Sequence, residues 1–255
     1  MAPTSHDSTK SLRLPFVQCL HVVKSGIKYA DVLRDIELTV FKGEIVCILG
    51  ASSSGKTALV KLLLGLESPD EGQVVVGGIS PASLHSRDVA LFRRQVGVVF
   101  QDLKLLMRKT VFENVSFPLV LAEKPREYVE NKTRQSLRDL GLERKIYAKC
   151  FNLSRCEQQL VAVARATVHD PVFLLADEPA AHLEEDHALR VADHLNALNI
   201  RGTTVIILTR DAAFAGLMKH GRTLSLNQGR IMEIPPTGQQ DRYFLAHTGR
   251  ELLRK

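Results

Sequence analysis

The apolar positions of this chain change period several times along its length, and each change marks an element. From Phe16 the pattern is one of short runs broken by turns, as in FVQCLHVV, DIELTV and EIVCILG. Apolar residues at every second position predict half-buried strands. The third run is almost continuously apolar, which predicts a strand buried on both faces, as parallel strands are. That run leads straight into Gly50. Beyond residues 50–57, ALVKLLLGLE places Leu and Val at helical spacing, and SPDEGQVVVGG predicts a turn followed by a strand.

Between about residues 105 and 150 the chain is richer in helix formers and charged side chains, and REYVENKTRQSLRDLGL predicts an amphipathic helix ending at Gly141. Strands and helices then alternate again: the helix EQQLVAVARATV, the strand PVFLLAD, the helix EDHALRVADHLNAL, the strand TTVIILT and a strand pair around TLSLNQGRIME. The expected organisation is an α/β domain over residues 16–232 with an inserted helical lobe at about 105–165. Residues 1–15, rich in Ser, Thr, Lys and Pro without a sustained period, are expected to be a flexible leader, and 233–255 a C-terminal tail.

Composition narrows the class. A chain of 255 residues with 45% hydrophobic content can bury a substantial core. No apolar stretch approaches the roughly 20 residues of a membrane-spanning helix. The polar start MAPTSHDSTK lacks the apolar segment of a signal peptide, so a cytoplasmic location is expected. Cys19, Cys47, Cys150 and Cys156 are scattered singly, which predicts free thiols rather than a zinc knuckle or a redox pair. The formal charge of +6 is interspersed and accompanies no nucleic-acid recognition motif, so no nucleic-acid partner is expected. It suits work beside an anionic membrane face.

The chemistry gathers in two places. Gly50, Ala51, Ser52, Ser53, Ser54, Gly55, Lys56 and Thr57 fit the pattern Gly, four residues, Gly, Lys, Ser or Thr, set between an apolar strand and a helix. The glycines let the backbone fold tightly, so that N–H groups and a helix N-terminus point at phosphates. Lys56 then reaches the β- and γ-phosphates of a nucleotide, and the Thr57 hydroxyl holds Mg²⁺. In VFLLADEP an apolar strand ends in Asp177, suited to bind Mg²⁺ through water, with Glu178 next to it as a candidate general base. Two carboxylates at the end of a buried strand are costly unless a cation sits opposite them.

On these residues the chain resembles the ATP-binding cassette (ABC) family from about residue 16 to 232. That resemblance implies an α/β P-loop NTPase core of ABC type with an inserted helical lobe and an antiparallel β lobe. It also implies ATP and Mg²⁺ as ligands, and two subunits, identical or different, whose sites join one chain's P-loop to the other's signature segment. Gln101, in VGVVFQD, matches the family glutamine that contacts the metal and the attacking water. LSRCEQQLVAVARA, residues 153–166, looks like the signature segment, with Ser154 toward the partner's ATP. Residues 91–119 most resemble the family's cell-division branch. This implies an FtsX-like integral membrane permease as partner and a place on the inner face of the cell membrane; lipoprotein-release and export ATPases are the alternative branch.

The departures from the family pattern fall where the nucleotide sandwich closes. Arg155 and Cys156 replace the two signature glycines, where a Cβ or a long side chain obstructs the approach of a phosphate. Arg210 stands where the family has its switch histidine, and a guanidinium is permanently charged and only donates. Ala180 to Glu184 also depart from the family's loop, and the aromatic that stacks on adenine aligns with Gly26, with Tyr29 as a substitute. Two readings stay open at this point. One is an ATPase of reduced turnover in which Arg155 and Arg210 clamp the γ-phosphate; the other is a scaffold that binds ATP without cleaving it.

Overall fold

The computed structural model describes residues 14–26 and 31–234. Most of the leader, nearly all of the tail, and Tyr29 lie outside the described residues. The first strands are β1 (Pro15–Ser25), β2 (Asp31–Phe41) and β3 (Ile45–Leu49), followed by α1 (Lys56–Leu63), β4 (Glu71–Val76), α2 (Ser86–Gln95) and β5 (Val96–Val99). Three helices come next: α3 (Val111–Leu121), α4 (Arg126–Asp139) and α5 (Arg155–Thr167). The chain closes with β6 (Phe173–Asp177), α6 (Glu185–Ile200), β7 (Thr204–Thr209), α7 (Ala212–Gly216), β8 (Arg222–Asn227) and β9 (Arg230–Glu233).

Two sheets result. The larger runs β5-β6-β7-β3-β8-β9, parallel except for β9, which turns back on β8. The smaller, β2-β1-β4, is antiparallel, with Val17 paired to Val40 on one side and Val76 on the other. Every residue of β3, β6 and β7 is buried, as a parallel sheet covered on both faces requires. The alternation along β3 divides the core in two. Val46 and Ile48 join α1 and the small sheet in one cluster, while Ile45, Cys47 and Leu49 join α3, α4, α5 and α6 in the other. The continuous apolar runs of the sequence are therefore central strands, and the parallel strand expected before Gly50 is borne out.

Local signals start the helices that flank the site. Thr110 caps α3 and Ser154 caps α5, each in a capping box with a glutamate three residues on, Glu113 and Glu157. The buried Asn114 side chain ties α3 to the preceding loop through Leu106 N (2.8 Å) and Leu106 O (3.0 Å). The four cysteines are free, as expected; Cys19, Cys47 and Cys150 are buried and Cys156 is half-buried. No helix among the described residues is long and apolar enough to cross a membrane.

Candidate functional site

The site forms where three neighbouring parallel strands end. Gly50 N donates to Thr209 O (3.1 Å) at the end of β7, so the loop after β3 leaves the sheet beside the loop after β7. A Cβ at Gly50 would lie 2.5 Å from Ser54 Oγ and 2.8 Å from Leu226 O. Gly55 has φ +108°, and a Cβ there would lie 2.7 Å from both Val32 O and Leu33 Cδ2. Only glycine fits a cradle this tight. No side chain caps α1, which leaves the N–H groups of its first turn, at the positive end of the helix dipole, free for an anion.

Lys56 folds back over the loop, its Nζ donating to Gly50 O (2.5 Å) and Ala51 O (2.9 Å). Burial lowers the pKa of its amine, while the charges of Glu178 and Asp177 act in the opposite direction. At the end of β6, Asp177 is buried and its Oδ1 has no hydrogen-bond partner. Burial, reinforced by the neighbouring Glu178 charge, pushes this carboxyl up to about 6. Ser54 Oγ is also buried without a partner.

Glu178 follows with φ +52°, its N–H donating to Leu208 O (2.8 Å). Its buried carboxylate is held from several sides. Oε2 accepts from Thr209 Oγ1 (3.0 Å) and from Arg210 N (3.2 Å). Oε1 lies 3.2 Å from Arg210 Nε and 3.8 Å from Lys56 Nζ. Arg210 Nη1 also donates to Ser52 Oγ (3.3 Å), so one guanidinium links the loop after β3 to the carboxylate after β6.

A cavity of about 360 Å³ opens among these groups, lined by Ser52, Ser53, Ser54, Gly55, Lys56, Thr57, Gln101, Glu178 and Arg210, with Val32 and Ala58. The structure therefore gathers most of the site expected from sequence into one place. Gly50 and Ala51 contribute carbonyls to Lys56 rather than wall to the cavity. Ser154 is not on the wall; its hydroxyl accepts from Glu157 N (3.1 Å) in the cap of α5. Arg155 donates to Gln158 Oε1 (3.3 Å) at the same end of α5, which in a two-subunit site faces the partner's nucleotide rather than this chain's own cavity. No aromatic lines the cavity among the described residues, and Gly26 is not on its wall.

Two supporting residues escaped the sequence reading. Thr209 grips Glu178, and Gln159, on α5, donates to Glu178 O (3.3 Å) and Pro179 O (2.9 Å). Thr209 lies beside Arg210 in the sequence, whereas Gln159 carries no signal beyond its place in a helix.

The donor set fits Mg²⁺. Among the described residues no three His, Cys, Asp or Glu side chains come together as a dedicated protein cage. The unpartnered Asp177 oxygen, with the Thr57 and Gln101 side chains on the cavity wall, matches an ion that takes one or two carboxylates and completes its octahedral shell with other oxygens, phosphate and water.

Comparison with known proteins agrees with this geometry. The family model described as ABC transporter matches residues 33–181, from β2 to just past Glu178. The chain belongs to the ATP-binding cassette family. This cassette is 32% identical over 226 residues to the cell division ATP-binding protein FtsE of Streptococcus pneumoniae, covering 89% of this chain and 98% of the relative. It is 38% identical over 219 residues to FtsE of Mycobacterium tuberculosis (86% and 95% covered). It is 36% identical over 211 residues to the lipoprotein-releasing system ATP-binding protein LolD of Aquifex aeolicus (82% and 93% covered). A solved dimeric ATP-binding cassette in a post-hydrolysis state, bound to ADP and Pi, superposes with a TM-score of 0.77 at 30% identity, covering 86% of this chain and 99% of that one. The resemblance drawn from the P-loop and the Asp177–Glu178 strand is borne out, as are the α/β core and its antiparallel β sheet.

Proposed function

We propose that this cassette binds MgATP in the cleft between Gly50–Thr57 and Asp177–Glu178 and hydrolyses it slowly, as the ATP-binding subunit of a membrane complex. The observation that carries the reading is the convergence of Lys56, Gln101 and Glu178 on one cavity floored by an uncapped helix N-terminus. The phosphates take the N–H groups of the loop and of α1, and Lys56 exchanges its bonds to Gly50 O and Ala51 O for phosphate oxygens. Thr57, Gln101 and Asp177 hold Mg²⁺, which when bound neutralises charge on the phosphate oxygens. Glu178 accepts the proton of the attacking water.

The pairing of the base with Arg210 supports the reading of reduced turnover. That pair also favours the second reading, a scaffold that binds ATP without cleaving it. Steady-state phosphate release from MgATP, with Glu178→Gln as the blank, separates the two. Release above the blank is expected, and release equal to it would leave the scaffold as the better reading. Lys56→Ala is expected to weaken MgATP binding in either case.

A membrane partner is supported by a second, larger groove of about 850 Å³, which shares none of the cavity's residues. Phe117, Leu121 and Tyr128 line it and are exposed. Arg93, Arg94, Lys124 and Arg165 line it too, and none of these has a carboxylate partner among the described residues. Asp170, the acidic residue on the wall, is taken by Lys132 and Arg201. An apolar segment bearing carboxylates fits such a surface. We assign it to a cytoplasmic segment of an FtsX-like permease, with the cassette on the inner face of the membrane and a role in cell division. Lipoprotein release is the alternative that the LolD relative raises. A second cassette subunit, identical or different, completes each site through the Ser154 end of α5.

A further inference from the structure

The side chain of Arg210 joins two parts of the cleft. Its Nε lies 3.2 Å from Glu178 Oε1 and its Nη1 donates to Ser52 Oγ at 3.3 Å, so it crosses from the candidate base to the phosphate loop. The two ends of this ion pair differ in freedom. The Glu178 side chain is 7% exposed and keeps the Thr209 hydroxyl and the Arg210 backbone N–H on Oε2 wherever the guanidinium goes. The Arg210 side chain is 55% exposed and engages only two of its five donors in these contacts. The arginine is therefore the freer end of the pair and the glutamate the anchored one.

We infer that Arg210 is a latch on the candidate base: its guanidinium masks Glu178, and the phosphate chain of a bound nucleoside triphosphate draws it off and unmasks the carboxylate. The latch rests on the MgATP reading above and adds to it an order of events, with phosphate binding first and release of the base second. A phosphate chain presents several charged oxygens to a planar fork of donors and outcompetes a single carboxylate oxygen for it. Lys56 undergoes a parallel exchange, since its amine is also held by protein oxygens, those of Gly50 and Ala51. In this role Arg210 positions the base rather than touching the reacting water.

The latch makes a signed statement about binding, measurable without hydrolysis. With Arg210 present, ATP binding carries the cost of breaking the ion pair, and Glu178→Gln removes that cost as well as the repulsion between carboxylate and phosphate. Without Arg210, Glu178→Gln removes the repulsion alone. If the guanidinium instead remained on Glu178 when ATP binds, the carboxylate would stay neutralised, and Glu178→Gln would help less with Arg210 present than without it. The two cases give coupling of opposite sign in a double-mutant cycle.

The experiment titrates the full chain with the nonhydrolysable analogue AMP-PNP and Mg²⁺ by calorimetry, in wild type, Glu178→Gln, Arg210→Leu and the double variant. The expected result is an affinity gain from Glu178→Gln of about tenfold with Arg210 present and at most about threefold in Arg210→Leu. A gain that is equal or larger in Arg210→Leu overturns the latch while leaving the MgATP reading intact. Absence of binding by all four folded proteins overturns both. If Arg210→Leu does not fold, Arg210→Gln replaces it in the cycle with the same expected sign.

Discussion

At the scale of single residues the cradle depends on atoms that are absent. Gly55 combines a backbone angle that side chains rarely adopt with a wall of backbone oxygen, since Val32 O stands 2.7 Å from where its Cβ would be. Leu33 Cδ2 stands equally near and is fully buried, and the Val32 carbonyl moves only with β2. Gly55→Ala is therefore expected to cost about 1–3 kcal/mol of stability and to weaken MgATP binding. Gly43→Ala is a matched control, because Gly43 also has a positive φ (+73°) but faces open space. It is expected to cost about 1 kcal/mol with nucleotide affinity unchanged. Thermal denaturation of both variants, with and without MgATP, checks the pair; equal losses would mean that the contact with Val32 does not constrain the loop.

At the scale of elements, α3 shows how much a cap contributes. Lys109, the Thr110 N–H and the Thr110 hydroxyl, in that order, hold the Glu113 carboxyl down from 4.5 to about 2. A depressed carboxylate stabilises the fold above its ordinary range, and that contribution is lost as pH falls through the folded value. Glu113→Gln is therefore expected to lower the melting temperature at neutral pH, and the gap to wild type is expected to close between pH 4.5 and about 2. Because the side chain is 44% exposed, solvent screens the effect. Its size is then that of a charge at a helix N-terminus, about 0.3–1 kcal/mol. A gap that persists unchanged at pH 2 would show that shape, not charge, matters at this cap.

Elements differed in how readily they could be read from sequence, for physical reasons. β3, β6 and β7 were plain because burial on both faces leaves a continuous apolar run. α2 gave little signal, since among its large apolar residues Phe92 is buried but Leu91 is exposed, and α7 is only five residues long. α3 defied the helical template because VFENVSFPLVL carries Pro118 and has no polar face. Its outward residues Phe117, Val120 and Leu121 are apolar and exposed, and Phe117 and Leu121 border the large groove. The P-loop and the Asp177–Glu178 pair were legible because each is contiguous in sequence. The Arg210–Glu178–Ser52 bridge was not, because its members lie on three separate loops brought together only by strand order.

At the scale of the whole molecule, α5 joins the groove to the site. One end of the helix supplies Arg165, which donates to Leu103 O (2.6 Å) and Lys104 O (2.7 Å), two residues with positive φ just after Gln101. Two turns earlier, Gln159 holds the carbonyls of Glu178 and Pro179. A segment seated in the groove therefore meets the same helix that supports the base and the loop that carries Gln101. The groove's charge comes from α2, from the segment between α3 and α4, and from α5, far apart in sequence, so the interspersed basic residues gave no sign of it. Reversing two of these charges, in Arg94→Glu with Lys124→Glu, is expected to abolish co-purification with the permease partner proposed above. MgATP affinity is expected to stay at the wild-type value, since neither residue lies on the nucleotide cavity. Wild-type binding to the permease is also expected to weaken as salt rises, because the attraction runs between exposed charges. Retained co-purification by the reversed-charge protein would move the membrane partner to another face and leave the groove without an occupant. Loss of MgATP binding along with the permease would instead mean that the two surfaces are coupled through α5 even in the isolated cassette.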